Sequence, residues 1–246
     1  MKLVLESIQF RYDRGSSTER VVFDSLSLKV EEGELLSIVG RTGSGKTTLG
    51  LIMAGLLDPT GGRVKLEETS QLAPRANLGT EGVDVAMVFQ FPESQFFEED
   101  VFGEVAFGPS RLGLRGDEVR QRVTTAMQKM KLDLRALSNR SPLSLSEGEK
   151  RKVAIASALA CGPRFLILDE PMVSLDWEAS VHIFEVLNEL KQNGVSVIVM
   201  THEVEDAFAH SDRIAVLAEG RLVEAEGLSK DEVCLILSQG KAWLSS

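Results

Sequence analysis

Hydrophobic residues follow two rhythms along this chain, and the change from one to the other indicates its fold. Near the start, Leu3, Leu5, Ile8 and Phe10, and then Val22, Leu26, Leu28 and Val30, alternate in part with polar residues over residues 2–12 and 20–30. A polar loop at residues 13–19 separates the two runs. This pattern predicts two half-buried strands forming an antiparallel layer. Four mainly apolar runs follow, at Leu35–Val39, Val83–Phe89, Phe165–Leu168 and Val195–Met200. Runs without alternation predict strands buried on both faces, the signature of a parallel sheet.

Helical spacing fills the intervals. Leu49–Ala54 is apolar and compact; Val119, Val123, Ala126, Met127 and Met130 recur at helical intervals and predict an amphipathic helix over 117–131. Val153, Ile155, Ala156 and Leu159 predict another, and a further helix is expected over 177–192. After the first helix, the turn at residues 58–62 predicts a short strand over 63–66 and a polar loop through Gly82. The segment Phe91–Phe97 carries aromatic residues in an exposed-loop composition, and the tail, Ile214–Leu217 with a helix near 230–237, is read as edge structure. There is no internal repeat. Strands alternating with helices predict a parallel α/β sheet, whose ligands collect at the carboxyl ends of the strands.

Composition narrows the class. The 246 residues, 43% hydrophobic, are enough for one globular unit. A formal net charge of −10 argues against a general nucleic-acid binder, which needs a clustered basic surface. No apolar run approaches bilayer length and the first residues lack a signal-peptide core, so the chain is expected to stay in the cytosol. Cys161 and Cys234 have no metal or redox spacing and are expected to be buried structural thiols.

The candidate chemistry sits where strands end. Leu35–Val39 runs into Gly40, Arg41, Thr42, Gly43, Ser44, Gly45, Lys46, Thr47 and Thr48, and then into a helix: a complete phosphate-binding loop in its strand-to-helix setting. Its glycines let main-chain N–H groups turn inward, and the helix N-terminus adds positive potential. Lys46 is expected on the β- and γ-phosphates and Thr47 on Mg²⁺. Asp169 and Glu170 end a later apolar run, which suits Asp169 to the Mg²⁺ shell and Glu170 to orienting or deprotonating water. Gln90 and His202 end two more strands, and His202 is expected to reach the γ-phosphate. Tyr12, the only tyrosine, closes the first strand with a face that can stack on a purine or simply pack. Ser146 through Glu149 fits a capping box at a helix start. His182 and His210 have no such context.

These motifs, in the order Gly40–Thr47, Gln90, Ser146–Glu149, Phe165–Glu170, Ser174–Asp176 and His202, resemble the ATP-binding subunit of an ABC transporter over nearly the whole chain. More narrowly, Phe89–Gln95, Val105–Pro109 and Leu112–Leu114 resemble the energy-coupling factor (ECF) subfamily, which powers uptake of vitamins and transition-metal ions. The resemblance implies a P-loop NTPase (RecA-like) parallel-sheet core with an N-terminal antiparallel β layer and an inserted helical subdomain. It implies one domain, with core residues 1–93 and 151–246 and a helical lobe over 94–150. It further implies adenine stacking on Tyr12, Mg²⁺ contacts from Thr47, Gln90 and Asp169, and catalytic roles for Glu170, His202 and Gln90. Ser146, Gly148 and Glu149 would face ATP held by a second cassette, with Asp176 at the cassette interface. The implied ligands are ATP and Mg²⁺. The implied partners are a second cassette, expected to be a different chain, and membrane-embedded coupling and substrate-binding subunits, at the cytoplasmic face of the cell membrane. The signature departs from the family's usual Leu-Ser-Gly-Gly-Gln: here it is Leu145-Ser-Glu-Gly-Glu149. Two alternatives remain at this point, a soluble ABC ATPase of DNA maintenance or translation, and a non-hydrolysing nucleotide-binding scaffold.

Overall fold

The computed structural model describes residues 1–67, 83–173 and 175–239. The expected polar loop through Gly82, beyond residue 67, and Ser174 lie outside them. In chain order the elements are strands β1 (Lys2–Tyr12), β2 (Arg20–Val30) and β3 (Leu35–Val39), helix α1 (Lys46–Met53), and strands β4 (Gly61–Glu67) and β5 (Val85–Val88). Helices α2 (Val101–Arg111), α3 (Asp117–Lys129), α4 (Leu134–Leu137) and α5 (Glu147–Ala160) follow. The remainder is β6 (Phe165–Asp169), α6 (Trp177–Gln192), β7 (Ser196–Thr201), α7 (Val204–His210), β8 (Arg213–Ala218), β9 (Arg221–Glu224) and α8 (Lys230–Gln239). They fall into two compact units, one within Met1–Pro74 and Ser196–Ser246, the other within Arg75–Val195.

The first unit contains the antiparallel sheet β2-β1-β4 and the run β7-β3-β8-β9, in which β3 is parallel to both β7 and β8. The uneven alternation at the start of the chain has a physical cause. Ser7 adopts a left-handed conformation (φ 48°) where the β1–β2 register shifts, between Leu5 and Ile8. A bulge there reverses side-chain parity, so Leu3 and Leu5 before it and Ile8 and Phe10 after it are all buried. The tail differs from its expected edge position. β8 is an interior strand, parallel to β3 on one side and antiparallel to β9 on the other. The short run Arg221–Glu224, with charged ends, pairs with it through Leu217↔Leu222 and supplies the edge instead. Val39, Val216, Val233 and Ile236 then form a core that joins α8 to this sheet.

In the second unit β5 and β6 pair in parallel, with Val88 opposite Leu168. Helix α2 had no sequence signal. It contains Gly103, Gly108 and Pro109, all poor helix formers, yet Asp100 caps it by accepting from the Gly103 N–H at 2.7 Å. Gly108 is needed for packing, because a Cβ there would lie 2.2 Å from the Cys161 Sγ at the end of α5. Cys161 is half-buried and burial pushes its thiol pKa up, whereas Cys234 is exposed on α8, contrary to the expectation of two buried thiols.

Candidate functional site: a phosphate-binding loop and its strand-end partners

The loop after β3 has the geometry an anion needs. All five residues of β3 are buried, and the Gly40 N–H donates to the Thr201 carbonyl at 3.1 Å, locking the loop's first residue to the end of β7. Gly43 (φ 80°) and Gly45 (φ 104°) take left-handed conformations that turn the main chain around the cradle. At Gly45 space also matters, since a Cβ would sit 2.8 Å from Val22. Helix α1 begins immediately afterwards, with no side-chain cap on Gly45 and no acidic residue in its first turn. Its positive end therefore keeps its full attraction for a phosphate. The Ser44 hydroxyl is buried without a hydrogen-bond partner among the described residues. An orphaned donor in a cradle of main-chain amides fits a phosphate oxygen.

Lys46 is buried, its ammonium donating to the Gly40 carbonyl at 2.6 Å and the Arg41 carbonyl at 3.4 Å. Those carbonyls hold the cation beside the loop. Thr47, one residue on, is exposed. Thr48 is buried, and its hydroxyl lies 3.1 Å from the Tyr12 hydroxyl. That bond, with an edge-to-face contact to Phe10 at 4.8 Å, fixes a Tyr12 ring that remains 42% exposed beside α1. Tyr12 is thus anchored at its tip and edge with surface left for stacking. His202 follows Thr201, the residue opposite Val39 in the β3–β7 ladder, and its Nε2 lies 3.2 Å from the Glu203 carboxylate. In this unit the structure brings together the loop, Tyr12 and the strand end that carries His202.

The second unit holds the remaining candidates. Gln90 lies two residues past the end of β5; Asp169 ends β6, and Glu170 follows it. These are the ends of paired parallel strands. Asp169 is 2% exposed and Glu170 7%. Glu170 also has a left-handed main chain (φ 48°), which for a residue with a Cβ costs roughly 1–2 kcal/mol. A buried carboxylate held in a strained backbone at a strand end is a recurrent mark of a functional position.

The signature begins α5. Ser146 is its N-cap, accepting from the Glu149 N–H, while the Glu149 carboxylate accepts from the Ser146 N–H and hydroxyl, each at 2.9 Å. Those bonds hold the Glu149 pKa below its ordinary value. Glu147 forms an ion pair with Lys150 at 2.8 Å. Gly148 packs near Leu175 (3.7 Å from a built Cβ), and Asp176 caps α6 by accepting from the Ala179 N–H at 2.8 Å. Two buried charges had no sequence signal, because burial is a tertiary property. Arg151, on α5, donates to the Phe89 carbonyl at 3.0 Å, just before Gln90, and burial pulls its pKa down. Glu104, on α2, is 6% exposed and accepts the N–H groups of Phe97 and Glu98, both at 3.1 Å.

Comparison with known proteins agrees with this geometry. The family described as ABC transporter matches residues 23–173. The energy-coupling factor transporter ATP-binding protein EcfA2 of Symbiobacterium thermophilum is 39% identical over 222 residues, covering 90% of this chain and 77% of that protein. The EcfA2 protein of Thermotoga maritima is 39% identical over 225 residues, covering 91% and 82%. Among solved structures, cbiO1 from Clostridium perfringens, described as part of the ABC transporter complex cbiONQ, superposes with a TM-score of 0.75 at 28% identity, covering 98% of this chain and 96% of that one. A dimeric post-hydrolysis structure of the ATP-binding cassette MJ0796, with ADP and Pi, gives 0.76 at 27% identity, covering 92% and 100%. With its P-loop in the required strand-to-helix setting, the chain belongs to the ABC transporter family as an ATP-binding, ATP-hydrolysing subunit related to the energy-coupling factor ATPases.

Proposed function

We propose that this chain is one cassette of a two-cassette motor that energises uptake of a small molecule, a vitamin or a transition-metal ion, through membrane-embedded ECF subunits. The observation that carries the proposal is the 39% identity to EcfA2 proteins across about nine-tenths of the chain, joined to a phosphate loop whose buried Ser44 hydroxyl awaits an acceptor. In this reading the pathway belongs to partner subunits and this chain docks on their cytoplasmic face; no helix among the described residues is long and apolar enough to cross a membrane.

In this reading Tyr12 stacks on adenine, and Gly40–Thr48 wraps the phosphates with Lys46 between β and γ. Thr47, Gln90 and Asp169 would hold Mg²⁺, which would neutralise phosphate charge. Glu170 orients and deprotonates the attacking water, and His202 hydrogen-bonds the γ-phosphate. Ser146, Gly148 and Glu149 face the partner cassette's nucleotide, Asp176 lies at the cassette interface, and the lobe over 94–150, with Gln90 and the aromatic segment after it, meets the membrane subunits. The cargo is selected by a membrane-embedded binding subunit.

The test is purification of the tagged chain from membranes of the cells that make it. Recovery of a second cassette and integral membrane proteins, with ATPase activity in the complex, is the expected result. Recovery with nucleic acid or ribosomes instead overturns the reading.

A further inference from the structure

Glu104 is a buried carboxylate that ATP chemistry does not use. It lies in the first turn of α2, where the helix end favours a negative charge, and both of its main-chain N–H donors, Phe97 and Glu98, belong to the loop that leads into the helix. What the carboxylate holds is unusual. Phe97 is 61% exposed, its ring set edge-to-face against Phe107 at 4.4 Å, and the Arg111 guanidinium caps Phe107 at 5.0 Å. An aromatic ring this exposed is oriented by its one edge-to-face contact and by the main chain that carries it. The same loop also contains a buried Gln95 side-chain nitrogen with no partner among the described residues.

Resting on the proposed coupling to a membrane partner, we infer that Glu104 is the positioning residue of this aromatic ledge, its carboxylate fixing the main chain at Phe97 and Glu98 and thereby the angle at which Phe97 meets the membrane subunit. The carboxylate touches no nucleotide residue named above. Its removal therefore acts on docking and leaves ATP binding unchanged. A Gln side chain retains one carbonyl acceptor for the two N–H groups, whereas Ala retains none and leaves both donors unpaired.

The experiment compares parent, Glu104→Gln, Glu104→Ala and Phe97→Ala chains rebinding to urea-stripped vesicles from the cells that make this protein. A fluorescent ATP analogue reports nucleotide affinity, and hydrogen exchange reports the Phe97 and Glu98 amides. Glu104→Ala is expected to weaken rebinding about tenfold and to expose both amides to exchange, with nucleotide affinity unchanged; loss of two part-buried hydrogen bonds sets that scale. Phe97→Ala should weaken rebinding to a similar degree, and Glu104→Gln should keep most of it and protect both amides. Parental rebinding by Glu104→Ala overturns the inference, as does a Glu104→Gln variant that fails like Ala while remaining folded. Failure of the parent chain to rebind would instead overturn the proposed function.

Discussion

Glu149 accepts two hydrogen bonds from Ser146, one from its main-chain N–H and one from its hydroxyl, both at 2.9 Å. In the proposed pair of cassettes, a carboxylate of the same chain would thus occupy Ser146 donors on the side that faces the partner's nucleotide. Glu147 is already balanced by Lys150, which leaves Glu149 as the stronger competitor. In an assembled pair of different cassettes, Glu149→Gln should keep the capping box, drop the charge and raise turnover at the partner's nucleotide about two- to fivefold, the scale of one charge at a helix end. The two sites should also be unequal: Glu170→Gln in this chain should remove most ATPase, and the matching change in the partner little. Equal losses, or full turnover by this chain as a homodimer, would reject the asymmetry.

Glu170→Gln should preserve ATP binding and slow hydrolysis roughly 10²- to 10⁴-fold, the size of a general-base contribution. The amide keeps the shape of a residue held at φ 48°, so the loss should fall on the rate and not on folding. Lys46→Ala should instead lose nucleotide affinity. Single-turnover hydrolysis and equilibrium binding, measured in the assembled complex, separate the two; parental hydrolysis by Glu170→Gln would remove it as the base.

Gly40→Ala tests the cradle. The added Cβ would lie 2.6 Å from the Ser44 hydroxyl and 2.8 Å from the Leu217 carbonyl, and the carbonyl cannot yield without moving β8. A stability loss of about 1–3 kcal/mol is expected, together with weaker ATP binding. Thermal melting with and without nucleotide checks it, and a variant that melts and binds like the parent would show that the loop has more room than its geometry indicates.

Two acids should give opposite pH dependences. Hydrogen bonds from Ser146 lower the Glu149 pKa, so its contribution to stability is complete above the ordinary value near 4.5 and is lost as pH falls through its lower folded value. Burial raises the Glu104 pKa, so its contribution is complete below about 4.5 and is lost as pH rises through its higher folded value. Melting profiles should therefore show Glu104→Gln relieving a penalty at neutral pH, and Glu149→Gln removing part of the acid-side decline. The same sign of change in both variants would contradict this pairing.

The parallel strands, the phosphate loop and the amphipathic α3 were legible because each is a local pattern: mainly apolar runs, glycines at fixed spacing, a helical stripe. Helix α2 was not, because Gly103, Gly108 and Pro109 oppose it locally and the fit of Gly108 against Cys161 is a tertiary fact. β8 was misplaced for a similar reason, since an edge strand and an interior one differ only in whether a neighbour such as Arg221–Glu224 pairs with them. The candidate site residues could be named from the motifs, whereas Arg151 and Glu104 could not. A charged residue in a sequence reads as surface until the fold shows it buried.

Arg151 gives α5 a mechanical property. It lies five residues past Ser146, about 7.5 Å along the helix axis, and grips the carbonyl of the residue before Gln90. A rigid rod gripped near one end transmits torque as well as displacement. A displacement of α5 at its serine end is therefore expected to reach the Phe89 carbonyl, next to Gln90, through this hydrogen bond. One guanidinium thus links the start of α5 to the end of β5.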